Sequence, residues 1–409
     1  MRLSTSWMYQ QSLSSMLSQQ SSLAATQNQV TTQKRINVAS DDPAGAGQVV
    51  SLNHILAANA QYSTNIDSAT NRLSTEQTTL GSVNNLLDSA RSIALQGING
   101  SMTATDRQDM ASQLVQMRDN LVQLANTADS NGNALFAGTS TSAIPFVKDA
   151  SGAVSYIGND TQLKASIGPG LQTPTSDAGS ALFMDIPAGN GRFVATGGAT
   201  NTGTLVVGDN SVTDPVAWKA ASVASGGSYA ITFGAGGSWT AQDGSGNPVL
   251  DGSGNPVGGT YVDGGSIAFN GMTISMSGMP AVGDTMSVQA GQSQDVFSTL
   301  NNMIAVLSDP GANDVTVTNT LNRQIESLDR VQASVSGTEV SIGGRMNTLQ
   351  GQQNTYGDLN VAFQSTLSSV QDVDVYTAIS NLSIQSAALQ ASQQVFSQVK
   401  SMSLFNYIK

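Results

Sequence analysis

Apolar residues recur along the first third of the chain at three-, four- and seven-residue steps, the spacing of one face of an α-helix. Tyr9, Leu13, Met16, Leu23 and Val30 form one stripe, interrupted by Gln20 and Gln27. Leu80, Val83, Leu87, Ala90 and Ala94 form a second, stopped by Gly97 and Gly100. Met110, Leu114, Met117, Leu121, Leu124 and Ala128 form a third, an unbroken alternation of four and three that predicts a seam against a near-parallel neighbour. Asp129-Ser130-Asn131-Gly132 then breaks the helix.

The last third mirrors the first. Val296, Leu300, Met303 and Leu307 make one stripe, and Val317, Leu321, Ile325, Leu328, Val331 and Val335 another. Met346, Leu349, Tyr356, Phe363, Leu367 and Val370 continue in heptad register, with Gln353 and Asn360 as polar members. Val375, Ile379, Leu382, Leu389 and Phe396 mark a C-terminal helix. A helix running from Pro43 to Gln96 would be about 80 Å long at ~1.5 Å per residue.

Between these thirds the period changes. Most of the 41 glycines fall between Gly138 and Gly291, a density that long helices do not carry. Short β-branched or aromatic runs alternate there with turn residues: Leu205-Val206-Val207, Tyr229 to Phe233, and Ser266 to Phe269, which closes on Asn270-Gly271, a hairpin signal. The stretch Asp243 to Leu250 is repeated at once from Asp251 to Val257, which predicts an exposed loop tip. Because the two helical ends are joined only through this middle, they are expected to pack antiparallel. The prediction is an α+β chain: an elongated molecule, with a long antiparallel helical bundle from both termini and a central all-β domain at its tip. Residues 1–42 with 372–409 would be terminal helical assembly segments, 43–140 with 292–371 a helical rod, and 141–291 a β-rich outer domain.

Charge sharpens the picture. Only 11% of residues are charged, against roughly 25% in an average soluble domain. With 16 Lys and Arg against 28 Asp and Glu the net charge is -12, and no basic cluster offsets it, so nucleic-acid binding is not expected. Leu3 to Gln33 holds no charged side chain, and beyond Val375 there are only Lys400 and Lys409. Water-facing surfaces are normally charged, so both ends read as segments that something else covers. There is no cysteine; Met1 to Gln33 is too polar for a cleaved leader, and no apolar run approaches the ~18 residues of a membrane span, so membrane insertion is not expected.

Candidate chemistry is sparse. The single histidine, His54, lies in a helical pattern without a partner motif. No phosphate-cradling glycine motif is present, and Ser397 to Lys400 fits Ser-x-x-Lys without its companions. The Asp-Gly-Ser-Gly-Asn repeats resemble half a calcium loop but lack its bidentate Glu. Glu occurs only at positions 76, 326 and 339, so paired-carboxylate chemistry would rest on Asp. No catalytic residue, cofactor or metal is expected, and the chain is not expected to be an enzyme.

Three segments carry a resemblance. Lys34-Arg35-Ile36-Asn37-Val38-Ala39-Ser40-Asp41-Asp42-Pro43-Ala44-Gly45 resembles the link between the terminal helix and the next in the flagellin-like family, with Val38 where Ser is common. Locally, Asp42 suits an N-cap, Pro43 the first helical position, and Arg35 an aspartate partner here or in a neighbouring subunit. Asn133 to Thr141 with Pro145-Phe146, followed by Tyr156 to Asp160, looks like that family's exit into its outer domain. Asp372 to Ser392, closing on Ser403 to Tyr407, is more similar to the hook-associated protein 3 branch than to flagellin.

The resemblance covers residues 1–160 and 290–409. It implies a structural component of the bacterial flagellum that adapts the hook-associated region to the filament. Implied partners are copies of itself in a ring, another hook-associated protein, flagellin and a cytoplasmic export chaperone. Export without a cleaved leader would place it outside the cell. Expected assembly residues are Arg35, Ile36, Asn37, Asp41, Asp42, Pro43, Leu382, Leu389, Phe396, Leu404 and Phe405. The alternatives are a bulk filament subunit, or a surface adhesin or glycan-binding module working through the β insert.

Overall fold

The computed structural model describes residues 5–140 and 144–401. Leu404 and Phe405 lie outside these described residues. Seven helices are named here: α1 (Thr5–Thr32), α2 (Pro43–Gly97), α3 (Ala104–Ala125), α4 (Pro215–Ser225), α5 (Val296–Ser308), α6 (Asp314–Gln371) and α7 (Val375–Ser401). The expected order of helix, glycine-rich β and helix is the one observed. The chain forms two compact units, residues 1–64 with 350–409, and residues 65–349; α2 and α6 contribute to both.

Helix starts follow local chemistry. Asp42-Pro43 and Asp214-Pro215 both place an acceptor before a proline that needs no hydrogen-bond partner. The Asp42 carboxylate accepts from the N–H of Gly45, and that of Asp214 from Val216 and Ala217. Thr103 and Asp106 form a reciprocal capping box at α3.

In the 65–349 unit, α2 and α6 run antiparallel. Arg91 meets Asp329 at 2.9 Å, Gln332 donates to Asp88 at 2.7 Å, and Asn84 donates to Glu339 at 3.0 Å. Leu73, Leu80, Val83, Leu87, Ala90 and Ala94 are buried along α2, as are Val317, Leu321, Leu328, Val331, Val335 and Ile342 along α6. Helix α3 packs on α5. Its buried face is Arg107, Met110, Ala111, Leu114, Arg118, Leu121 and Ala125. The seam is therefore turned from the expected one, leaving Met117 and Leu124 half-buried. Two arginines take the vacated places because each finds partners: Arg107 pairs with Asp314, and Arg118 donates to Asn301 and pairs with Asp119.

Strands Phe193–Gly197, Tyr229–Phe233, Ser238–Asp243, Gly258–Thr260 and Thr285–Ala290 form an antiparallel five-stranded sheet, with Thr285–Ala290 between the first two. Val206–Val212, Ser266–Phe269 and Met272–Ser277 form a second sheet of three. Alternate residues of both sheets share one core with Trp218 of α4. Asn270-Gly271 is the expected two-residue hairpin. Phe269 pairs with Met272, and both turn residues have positive φ, 49° and 74°. The β region is fastened to α6 through the Val206–Val212 strand, whose Val207 N–H donates to Asn319 and whose Val207 carbonyl accepts from Asn322.

Among the described residues one turn recurs at four aspartates. At Asp129, Asp149, Asp243 and Asp251 the carboxylate accepts from the N–H two and four residues on. A glycine three residues on has φ between 79° and 88° (Gly132, Gly152, Gly246, Gly254), where other residues would be strained. The tandem repeat shows only the last two of these turns. In the two repeats both of these bonds fall on Oδ1 of Asp243 and of Asp251.

Phe136, Phe146, Phe183 and Phe297 form a second aromatic centre, with neighbouring ring centroids 5.4–6.4 Å apart. Phe183 touches all three others from the short π-helical turn Ser180–Met184. Phe183→Ala should lower unfolding free energy by about 3–5 kcal/mol, measured by urea titration of the full chain; a loss under 1 kcal/mol would mean that this centre contributes little.

Candidate assembly interface

The charge-free helix α1 ends at Thr32 and the chain turns through residues 33–42 before α2. Every side chain singled out in this turn has a defined task. Ile36 is buried. The Asp41 carboxylate accepts from the N–H groups of Asn37 and Val38 at 2.9 and 3.0 Å, and the Asn37 amide donates to the Lys34 carbonyl at 3.1 Å. Asp42 accepts from Gly45 with one oxygen and pairs with Arg35 at 3.2 Å through the other. Pro43 opens α2. Gly45 is required by space: a Cβ there would lie 2.5 Å from Asp42 Oδ2 and 2.6 Å from Ile36 Cδ1.

These bonds set the acidity of the two aspartates. The N–H groups of Val38 and Asn37 hold Asp41 below the usual carboxylate range, and the N–H of Gly45, with Arg35 second, does the same for Asp42. Both carboxylates favour the folded turn above the ordinary value of 3.8, and lose that effect as pH falls through their lowered folded values.

The second turn, residues 372–374 between α6 and α7, lies against the first. Lys34 and Asp372 form an antiparallel bridge. The Arg35 N–H donates to the Gln371 carbonyl at 2.6 Å, and the Val373 N–H donates to Gln33 at 3.1 Å. The Arg35 guanidinium also donates to the Val370 carbonyl at 2.7 Å. A cation thereby meets the last carbonyls of α6, where the helix dipole is negative. Asp374 starts α7 by accepting from the N–H groups of Tyr376 and Thr377. Arg35 thus bridges three elements: its own turn, the start of α2 and the end of α6.

Beyond the turns α1 and α7 pair antiparallel, with the rings of Tyr9 and Phe396 4.9 Å apart. The less exposed stripe of α1 is Ser12, Met16, Gln19, Leu23, Thr26 and Val30. Leu13 of the expected stripe is exposed, so the seam again turns toward small and polar side chains. On α7, Leu382, Leu389 and Phe396 are half-buried at seven-residue spacing, on the face that meets Tyr9. The opposite faces are open: Trp7 is 55% exposed, Tyr376 90%, Ile384 63% and Val395 58%. Ile384 and Val395 are about three turns apart on one face. Reading for a single apolar stripe missed these four; a second, sparser stripe in a segment without charges was the signal that could have found them. His54 lies exposed on α2, and among the described residues no group of three or more His, Cys, Asp or Glu converges as metal ligands.

Comparison with known proteins follows the same outline. The family described as the bacterial flagellin N-terminal helical region matches residues 3–141. A curated relative, flagellar hook-associated protein 3 of Escherichia coli, is 30% identical over 212 residues. That match covers 52% of this chain and 66% of the relative, just under two thirds of its length. The crystal structure of FlgL from Xanthomonas campestris is 31% identical, with TM-score 0.69, and the match covers 78% of this chain and 99% of that one. The chain belongs to the flagellar hook-associated protein 3 family. The hook-associated protein-3 structure from Legionella pneumophila agrees, at 27% identity and TM-score 0.72, covering 78% of this chain and 98% of that one. This is a family of flagellar structural proteins, which accounts for the resemblance of the Lys34–Gly45 and Asp372–Ser392 segments. Among the described residues no helix is long and apolar enough to cross a membrane.

Arg35→Ala should speed amide exchange at Val373 and Ile36 on the order of tenfold, the effect of losing a charge-assisted hydrogen bond at a half-exposed site. Exchange measured by mass spectrometry at neutral pH checks this. Unchanged protection would show that the two turns hold together without the guanidinium.

Proposed function

We propose that this chain is the adaptor between the hook-associated region and the flagellin filament, acting through packing between subunits of its terminal helices. The observation that carries this reading is the pairing of α1 with α7, both nearly free of charge and both with large apolar side chains on open faces. Such helices have little to stabilise them in isolation. A neighbour that covers Trp7, Tyr376, Ile384 and Val395 would offset the backbone ordering cost of ~1–2 kcal/mol per residue. The neighbours in this reading are copies of the chain in a ring, another hook-associated protein on one side and flagellin on the other. Export runs unfolded with a cytoplasmic chaperone, and the protein then acts outside the cell. Arg35, Ile36, Asn37, Asp41, Asp42 and Pro43 fix the angle between the terminal helices and the next. Leu382, Leu389, Phe396, Leu404 and Phe405 supply apolar contact. The role is mechanical, with no catalytic step.

Deleting the gene and examining cells and medium tests the reading. Intact hooks with flagellin shed unpolymerised into the medium are expected. Missing filaments without shed flagellin would make the chain the bulk filament subunit, and normal filaments would leave the surface-module alternative. In the complemented strain, Ile384→Asp with Val395→Asp, or loss of residues 398–409, should leave an exported chain that fails to support filaments. Normal swimming by either variant would overturn the helix-packing mechanism.

A further inference from the structure

The interior of the 65–349 unit holds a group of charges. Glu76, on α2, is fully buried. One of its oxygens accepts from the N–H of Asp177 at 3.0 Å, while the other has no hydrogen-bond partner in the protein. Asp177 lies on the strap formed by residues 175–184, which carries Phe183 into the aromatic centre. Arg345 of α6 pairs with Asp177, and Arg72, one turn before Glu76 on α2, pairs with Asp129 at 2.6 Å. All four of these side chains are at most 16% exposed. The amide of Gln162 completes the hold on Asp177 at 2.7 Å. Further along, Glu339 of α6 is engaged by Asn84 rather than by this group.

The charges do not balance. Two guanidinium groups face three carboxyl groups, and each guanidinium is already paired with an aspartate. Glu76 is left without an ion-pair partner, in a place where water cannot solvate a negative charge. An unpaired buried carboxylate costs far more than a buried carboxylic acid. We propose that this five-charge group is a proton-dependent clasp, which holds the 175–184 strap against α2 and α6 while Glu76 is neutral and slackens when alkali removes its proton.

The surroundings of Glu76 support this reading. Burial, then the neighbouring Asp177 charge, pushes Glu76 up to about 8, against the pull of the Asp177 N–H and the two arginines. Asp129 moves the other way: burial raises it, but the N–H groups of Asn133 and Asn131 and the Arg72 charge outweigh burial and lower it. For Glu76 the folded value lies above the unfolded one of 4.5, so its contribution is complete below 4.5. It is lost as pH rises toward about 8, because the unfolded chain gives up a proton that the folded chain keeps.

The experiment is a pH series of melting temperatures for the full chain and for Glu76→Gln, which cannot ionise and still accepts from the Asp177 N–H. The variant should gain on the wild type as pH rises, with the gap widening on the order of 5 °C between pH 6 and 9. Amide exchange in residues 175–184, corrected for its intrinsic rate, should rise above pH 8 in the wild type alone. Infrared spectroscopy of the wild type adds a test that needs no variant: a protonated carboxyl stretch at pH 7 that disappears by pH 10. A gap that does not change with pH, or the absence of that stretch, would overturn the proposal.

Discussion

A seam of leucine, valine and alanine along α2 and α6 carries the helical part of the 65–349 unit, and its margins fix the register. Ala90 and Ala94 are buried along it, but such a seam is nearly the same at every turn. The pairs Arg91–Asp329, Asp88–Gln332 and Asn84–Glu339 distinguish one register from a slip of four residues. In a chain with so few charges, each placed charge therefore carries positional information out of proportion to its stabilising effect. The β region depends on the same helix, since Asn319 and Asn322 of α6 hold the Val206–Val212 strand by its backbone.

Much of this was legible in the sequence where one residue type permits one local geometry. Asp42-Pro43 opened a helix, Asn270-Gly271 closed a hairpin, and the change from a period of 3.6 to one of 2 marked the β region. The helical faces were less legible. On α3, counting apolar residues selected Met117 and Leu124, whereas Arg107 and Arg118 occupy the buried face because each has a distant polar partner that periodicity cannot register. On α1, Thr26 lies deeper than Leu13 for a related reason: in a seam of small residues, closeness of approach decides burial more than hydropathy does. The bonds across the two turns, from Arg35 to Val370 and from Val373 to Gln33, were beyond sequence reasoning, which could supply Arg35 only with an aspartate. Glu76 was noted only as one of three glutamates, since nothing in its neighbourhood along the chain announces burial.

The two units differ in how locally their structure is encoded. The four aspartate–glycine turns each close within five residues, and the hairpin at Asn270-Gly271 needs only its flanking strands. By contrast, Arg35 and Val370 lie 335 positions apart, and the unit built from residues 1–64 and 350–409 draws on both ends of the chain.

That separation has a kinetic meaning. Loops closed over a few residues form within microseconds, whereas contacts between distant segments wait for everything between them to become compact. The glycine turns can close as soon as a short stretch of chain is free, whereas the bridge between Lys34 and Asp372 needs two distant segments to meet. Local turns are thus cheap in loop-closure entropy, and the seam between the two terminal segments costs more to close.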